Sequence, residues 1–110
     1  MRSIVLGLGF VVIAAAVGSA QEVNIAKGQQ VYADQKCGLC HSIGDKGNKK
    51  GPLDASGSKL SAADIRLWIT DAKAMTAKTK ATRKPDMKTY TLPKEDLDAL
   101  VAYMLSLKKG

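Results

Sequence analysis

The five residues from Cys37 to His41 hold the side chains of this sequence that are best suited to chemistry. Cys37 and Cys40 are the only cysteines, and His41 is the only histidine. Two residues between the cysteines put both thiols on one side of a helical turn, and the histidine follows directly. This spacing is the attachment signal of a c-type haem, with an imidazole for the iron. We therefore predict one haem c, covalently bound through Cys37 and Cys40, with His41 as an iron ligand.

Three other uses of a Cys-x-x-Cys pair are open at this point. A redox dithiol normally lies at the head of a helix in a βαβ pattern, and no such alternation is visible. A structural zinc site normally takes four ligands, whereas Cys37, Cys40 and His41 supply only part of that set. A disulfide in an exported chain would leave the histidine without a role. The complete motif favours haem over all three.

Residues 1–20 have the pattern of an export signal. Arg2 gives a positive start, an apolar stretch follows over residues 4–17, and small residues end at Ala20. The apolar stretch is shorter than the roughly 20 residues that a membrane-spanning helix needs. We expect cleavage near Ala20 and a periplasmic location, which suits haem attachment, with one domain formed by residues 21–110. An uncleaved N-terminal anchor is the alternative.

The charge balance limits the partners. The chain has 17 Lys and Arg against 10 Asp and Glu, and Arg2 would leave with the export signal. We do not expect nucleic acid as a partner, because the expected compartment is wrong and no aromatic stacking pattern interleaves the charges. We expect redox proteins with acidic docking surfaces instead. The basic residues that cluster late in the chain are Lys73, Lys78, Lys80, Arg83, Lys84 and Lys88.

Helix patterns lie on both sides of the motif. Asn24 can cap a first helix that runs to about Gln35. Ser61 opens a second helix with a capping box. Residues 42–59 are rich in Gly, Lys and Ser, which predicts a loop. Over residues 72–90 the helical periodicity fades, which predicts a basic connecting segment.

The last helix has the strongest pattern. Pro93 suits its first turn, Glu95 and Asp96 complement its dipole, and residues 108–110 are typical of its end. Its apolar residues recur at helical spacing: Leu97, Leu100, Val101, Met104 and Leu105. No segment predicts a convincing strand. We therefore predict an all-α fold, whose thin core is completed by the haem around which the helices pack.

With these features in this order, the chain resembles the class I monohaem cytochromes c of bacteria over residues 24–108. The features that carry the resemblance are Cys37-Gly38-Leu39-Cys40-His41, Gly51-Pro52, Trp68, Met87 and the helical sequence from Leu97 to Tyr103. The resemblance implies a small electron carrier with one haem. It also implies a close crossing of the first and last helices, with Gly28 against Tyr103.

The resemblance implies a methionine as the second iron ligand. Met87 precedes the last helix, where the family's ligand lies, and a thioether raises the haem potential. Met75, just after the second helix, is the rival. Met104 belongs to the apolar stripe and is expected in the core. Many relatives have a proline directly after the ligand, whereas Lys88 follows Met87 here.

Two further residues receive roles from the resemblance. The carbonyl of Pro52 would accept the N–H of the His41 imidazole and so orient the ring. Trp68 would donate its indole N–H to a haem propionate, although it could equally serve only to cover a small core.

These expectations favour electron transfer over catalysis. No nucleophile–base pair or paired carboxylates are evident, which disfavours a hydrolytic enzyme. We expect a monomeric electron carrier that is not an enzyme. Two alternatives use the same attachment. One is a haem subunit of a larger dehydrogenase or oxidase, through which the chain would meet a membrane. The other is a gas-binding or peroxidase-type haem protein with a labile distal ligand.

Overall fold

The computed structural model describes residues 7, 9 and 16–109. The elements in chain order are α1 Ala16–Asp34, a 3₁₀ turn Cys37–Leu39, β1 Ser42–Ile43, β2 Lys46–Gly47, α2 Ser56–Lys59, α3 Ala62–Thr70, α4 Ala72–Thr79 and α5 Lys94–Ser106. Most of the predicted export signal, residues 1–20, lies outside the described residues. None of the helices in the described ranges has both the length and the apolar composition for a membrane span.

The close crossing of α1 and α5 is confirmed. Gly28 is buried at the crossing, where an added Cβ would come within 2.6 Å of the Tyr103 Cβ and 2.9 Å of the Ala99 carbonyl carbon. The Tyr103 ring meets Tyr32 of α1 edge-on, with 6.0 Å between the ring centres. Only glycine lets the two backbones approach this closely.

The core lies between α1, α3 and α5. Met104 is 6% exposed there, so its predicted role as a packing residue is confirmed. Ile65 and Ile69 of α3 and the apolar stripe of α5 contribute, as the helical spacing predicts, whereas Leu67 of α3 is exposed. The buried residues of the cluster are Val31, Ile65, Ile69, Leu100, Val101 and Met104.

The ends of the helices agree with the sequence only in part. Ser61 caps α3 as predicted, since its side chain accepts a hydrogen bond from the Asp64 N–H at 3.1 Å. The predicted cap at Asn24 is wrong, because α1 already begins at Ala16 and runs through Asn24. Pro93 lies one position before α5 rather than in its first turn.

The end of α5 is set by a tertiary contact that the sequence does not reveal. The helix stops at Ser106, before the predicted residues 108–110. The chain then pairs with the first turn of α2 and the residues just before it: the Gly57 N–H donates to the Leu107 carbonyl at 2.8 Å, and the Lys109 N–H donates to the Asp54 carbonyl at 3.1 Å. These bonds take up backbone groups that would otherwise lack partners.

Two predictions about regular structure were wrong. The basic segment after α3 contains a further helix, α4, because Asp71 accepts from the Ala74 N–H and the next residues are strong helix formers. The predicted loop 42–59 contains α2 and an antiparallel hairpin, in which Ser42 pairs with Gly47. Strands of two residues are too short to show an alternating pattern.

Candidate functional site

The 3₁₀ turn places both cysteines on one short loop of backbone. The N–H groups of Cys40 and His41 both donate to the Cys37 carbonyl, at 3.1 and 2.9 Å. Cys37 is half-buried and Cys40 is exposed, and the two thiols are not joined in a disulfide. The predicted helical turn is therefore confirmed, and both thiols are available to one group bound beside the turn.

The His41 ring is oriented by a backbone carbonyl. Its Nδ1 lies 3.0 Å from the Gly51 oxygen. A carbonyl can only accept, so Nδ1 carries the proton and Nε2 keeps the lone pair that a metal ligand needs. The sequence thus correctly predicted that the only histidine of the chain bonds to a backbone carbonyl.

The prediction that Pro52 supplies this carbonyl is wrong by one residue. The Gly51 oxygen also accepts from the Ser42 N–H at 3.0 Å, and the Leu53 N–H donates to Ser42 at 2.8 Å. These two bonds fix the Gly51 peptide against the residue that follows His41, and they leave Pro52 exposed. Gly51 itself must lack a side chain, because a Cβ would lie 2.5 Å from the Cys40 carbonyl oxygen.

Burial and nearby charges shift the pKa values of the motif. Burial lowers the pKa of His41; the bond to Gly51 opposes this shift, and the positive charge of Arg83 adds to it. Burial raises the pKa of Cys37, which a backbone hydrogen bond and the charge of Lys88 partly offset. A lowered pKa favours the neutral imidazole, which is the form that binds iron.

The segment from Arg83 to Tyr90 runs beside the motif. The Arg83 guanidinium lies against Gly51, and Lys88 is close enough to Cys37 to affect its pKa. Burial raises the pKa of Tyr90, and the charges of both cysteines contribute. Met87, half-buried, belongs to this segment. The predicted distal ligand therefore lies in a stretch that borders the attachment motif at several points.

The other predicted residues lie on helices. Met75 is 4% exposed on α4, and Trp68 is half-buried on α3. The propionate role of Trp68 and the choice of iron-binding sulfur stay predictions.

The donor set fits a covalently bound haem. Two free thiols share one turn, and beside them an imidazole has its Nδ1 bonded and its Nε2 available. No group of three or more His, Cys, Asp and Glu side chains within residues 16–109 is arranged to hold a metal ion.

Comparison with known proteins agrees with this geometry. The family model described as Cytochrome c matches residues 25–108. The chain belongs to the cytochrome c family. Membership implies a covalently bound haem c and a role in electron transfer, and it confirms the fold expected from the resemblance.

A longer protein is also similar to this cytochrome. Cytochrome c oxidase subunit 2 of Alkalihalophilus pseudofirmus is 28% identical over 105 residues, which cover 87% of this chain but only 29% of that subunit. No solved structure matches the chain at a significant level.

Two features of the site were missed from the sequence. The Gly51 carbonyl was overlooked, although Gly51-Pro52 marks a fixed bend and pointed to the right peptide. The contact of the exposed Arg83 with Gly51 was also missed, because the sequence shows only that Arg83 belongs to a run of basic residues. A long side chain in an irregular segment gives no periodic signal of its direction.

Proposed function

We propose that this cytochrome is an exported, periplasmic electron carrier that shuttles single electrons between larger redox proteins through a haem ligated by His41 and Met87. The observation that carries the proposal is the arrangement around the motif. The His41 Nε2 is available on one side, and the segment that contains Met87 borders the same motif. The bound haem would supply the ferric/ferrous couple.

The residues of the chain hold this site in a fixed geometry. Cys37 and Cys40 would hold the haem covalently on the 3₁₀ turn, and the Gly51 carbonyl keeps the His41 ring in one orientation. The irregular segment after α4 is itself attached to α3, since the Tyr90 N–H donates to the Ile69 carbonyl at 2.8 Å. Fixed ligands suit electron transfer, because little must rearrange when the charge of the iron changes.

The covalent attachment is tested by mass spectrometry of the exported protein. We expect one haem added to residues 21–110, which also tests cleavage near Ala20. The Cys37→Ser/Cys40→Ser double variant is the matched control and should carry no covalent haem, because it has no thiol to form the attachment. An exported wild-type chain with a Cys37–Cys40 disulfide and no haem would refute the proposal.

The distal ligand is tested by a pair of methionine variants. Met87→Ala should abolish the methionine–iron charge-transfer band of the ferric protein and lower its reduction potential, because a thioether favours ferrous iron. Met75→Ala should keep the band, although it should destabilise the fold by about 2–5 kcal/mol because Met75 is buried. The opposite result for the band would assign the ligand to Met75.

A haem subunit of a larger complex is the second candidate. It is favoured by the similarity to cytochrome c oxidase subunit 2 over a stretch that is 29% of that protein. Size-exclusion chromatography of the native protein, without detergent, separates the two candidates. The carrier should elute as a monomer that keeps its haem spectrum, whereas a subunit should elute with other chains.

The basic residues suggest the kind of partner. All six side chains of the basic cluster defined by Lys73, Lys78, Lys80, Arg83, Lys84 and Lys88 are exposed. They flank Met87, so they would surround the haem edge on the distal side. We propose that acidic surfaces of redox proteins dock here, since such encounters are small, transient and steered by charge.

A further inference from the structure

Arg83 differs from the other members of the basic cluster. Lys84 pairs with the neighbouring carboxylate of Asp86 at 2.8 Å, and the Lys88 ammonium lies 5.0 Å from the centre of the Tyr90 ring. Arg83 instead extends its guanidinium towards the attachment motif. Arg83 is exposed like the other five, but its guanidinium also lies against Gly51, which puts its charge next to the motif.

The contact is made with the peptide that orients the histidine. A Cβ on Gly51 would lie 3.0 Å from the Arg83 Cζ and 2.5 Å from the Cys40 carbonyl oxygen. The guanidinium therefore occupies the space next to Gly51 and close to the motif backbone. Because Gly51 has no side chain, the guanidinium can take the space that a Cβ would fill.

We propose that Arg83 raises the reduction potential of the haem site by placing a permanent positive charge beside the Gly51 peptide and the His41 imidazole. The inference rests on the proposed ligation by His41. This effect of Arg83 on the reduction potential is separate from any part it has in partner docking.

Two physical effects act in the same direction. A positive charge close to the site disfavours the oxidised state, which carries one more positive charge than the reduced state. The same charge also draws electron density from the Gly51 peptide, whose carbonyl accepts the His41 N–H. A weaker acceptor makes the imidazole a weaker electron donor to the iron, which again favours the reduced state.

The experiment is a spectroelectrochemical titration of the haem-loaded, exported protein at low salt. Arg83→Gln removes the charge and keeps a polar side chain of similar reach. At a fixed applied potential, we expect its ratio of reduced to oxidised protein to fall about threefold to tenfold below wild type. A tenfold change corresponds to about 59 mV for a one-electron couple.

Two further variants separate this role from others. Lys78→Gln removes one exposed charge from the end of α4, outside the contact with Gly51, and should change the ratio less than about twofold. Arg83→Lys keeps the charge and should stay within about twofold of wild type, since the role needs charge rather than bidentate geometry. Absorption and near-infrared spectra of all variants should match wild type, because the ligands stay in place.

The outcomes that overturn the inference are distinct from failure of the proposed function. A wild-type ratio in Arg83→Gln, an equal shift in Lys78→Gln, or a changed ligand band in Arg83→Gln would each refute electrostatic tuning by Arg83. A wild-type protein without attached haem would refute the proposed function and this inference together.

Discussion

At the residue scale, the ring of Tyr32 stabilises the fold, whereas its buried hydroxyl destabilises it. The ring packs edge-on against Tyr103 in the crossing of α1 and α5. The hydroxyl oxygen, however, is buried and has no hydrogen-bond partner among the described residues. Burial raises the pKa of Tyr32 to about 12, with smaller contributions from the charges of Cys37, Tyr103 and Asp54. The aromatic face and the polar tip of this side chain therefore have opposite effects on stability.

Replacing Tyr32 by phenylalanine should separate these effects. Tyr32→Phe keeps the ring contact and removes the unpartnered hydroxyl, so the free energy of unfolding at pH 7 should rise by about 1 kcal/mol. Urea denaturation of the haem-loaded protein measures this change. Tyr103→Phe is the control at the same aromatic contact and should give no increase. A loss of stability in Tyr32→Phe would show that the hydroxyl is bonded in the loaded protein.

The same residue predicts a pH dependence at the alkaline end. An unfolded tyrosine ionises near pH 10, whereas Tyr32 in the folded protein keeps its proton to about pH 12. Below about pH 10 Tyr32 is protonated in both states, so it does not change the free energy of unfolding. As the pH rises from there towards 12, the unfolded state loses this proton first and the free energy of unfolding falls. Tyr32→Phe should lose less stability than wild type over this window in urea titrations. Identical pH profiles would contradict the shifted pKa.

At the scale of the elements, the tightest requirement is the crossing of α1 and α5. Lys27 of α1 lies 3.4 Å from Glu95 and 3.5 Å from Asp96 at the start of α5, but exposed ion pairs contribute little. Removal of apolar surface from water and the close approach at Gly28 supply the specificity of this packing. The rest of the fold, including the motif turn that follows α1, depends on this pair of helices for its position.

A branched side chain at position 28 tests this requirement. Gly28→Val should lower the free energy of unfolding by about 1–3 kcal/mol, because the backbones must move apart to admit it. Ala26→Val, on an exposed position of the same helix, is the control for the helix preference of valine and should cost less than about 1 kcal/mol. Thermal unfolding followed by circular dichroism measures both. Equal losses of stability in the two variants would show that the crossing does not require glycine at position 28.

The sequence predicts best those features that are determined by residues close to one another in the chain. The Cys37–His41 turn, the Ser61 cap and the apolar stripe of α5 follow from spacing within a few residues, and all three are confirmed. The end of α5 is different, since it depends on pairing with Gly57 from elsewhere in the chain. The same is true of the carbonyl that orients His41, because a bond from Ser42 selects Gly51 rather than its neighbour.

At the scale of the whole molecule, charge is distributed unevenly along the chain. The full sequence has a formal net charge of +7. Six of its cations form the basic cluster that flanks Met87, while Lys108 and Lys109 are exposed beyond the end of α5. Attraction between exposed charges is screened beyond about 8 Å at physiological salt. Steering towards the haem edge should therefore depend on nearby cations more than on the total charge.

Electron transfer with small charged reagents can measure this local field. Double charge reversal with Lys80→Glu and Lys84→Glu should slow oxidation of the reduced protein by hexacyanoferrate(III), an anion, about threefold to tenfold at low salt. The same variant should speed its oxidation by a cationic cobalt complex, because repulsion from the cluster is relieved. Lys108→Glu with Lys109→Glu changes the net charge equally and is the matched control, with an expected effect below about twofold. Both effects should shrink as salt rises, and stopped-flow absorbance of the haem follows them directly. Equal effects from the two double variants would mean that total charge, rather than the basic cluster, guides the encounter.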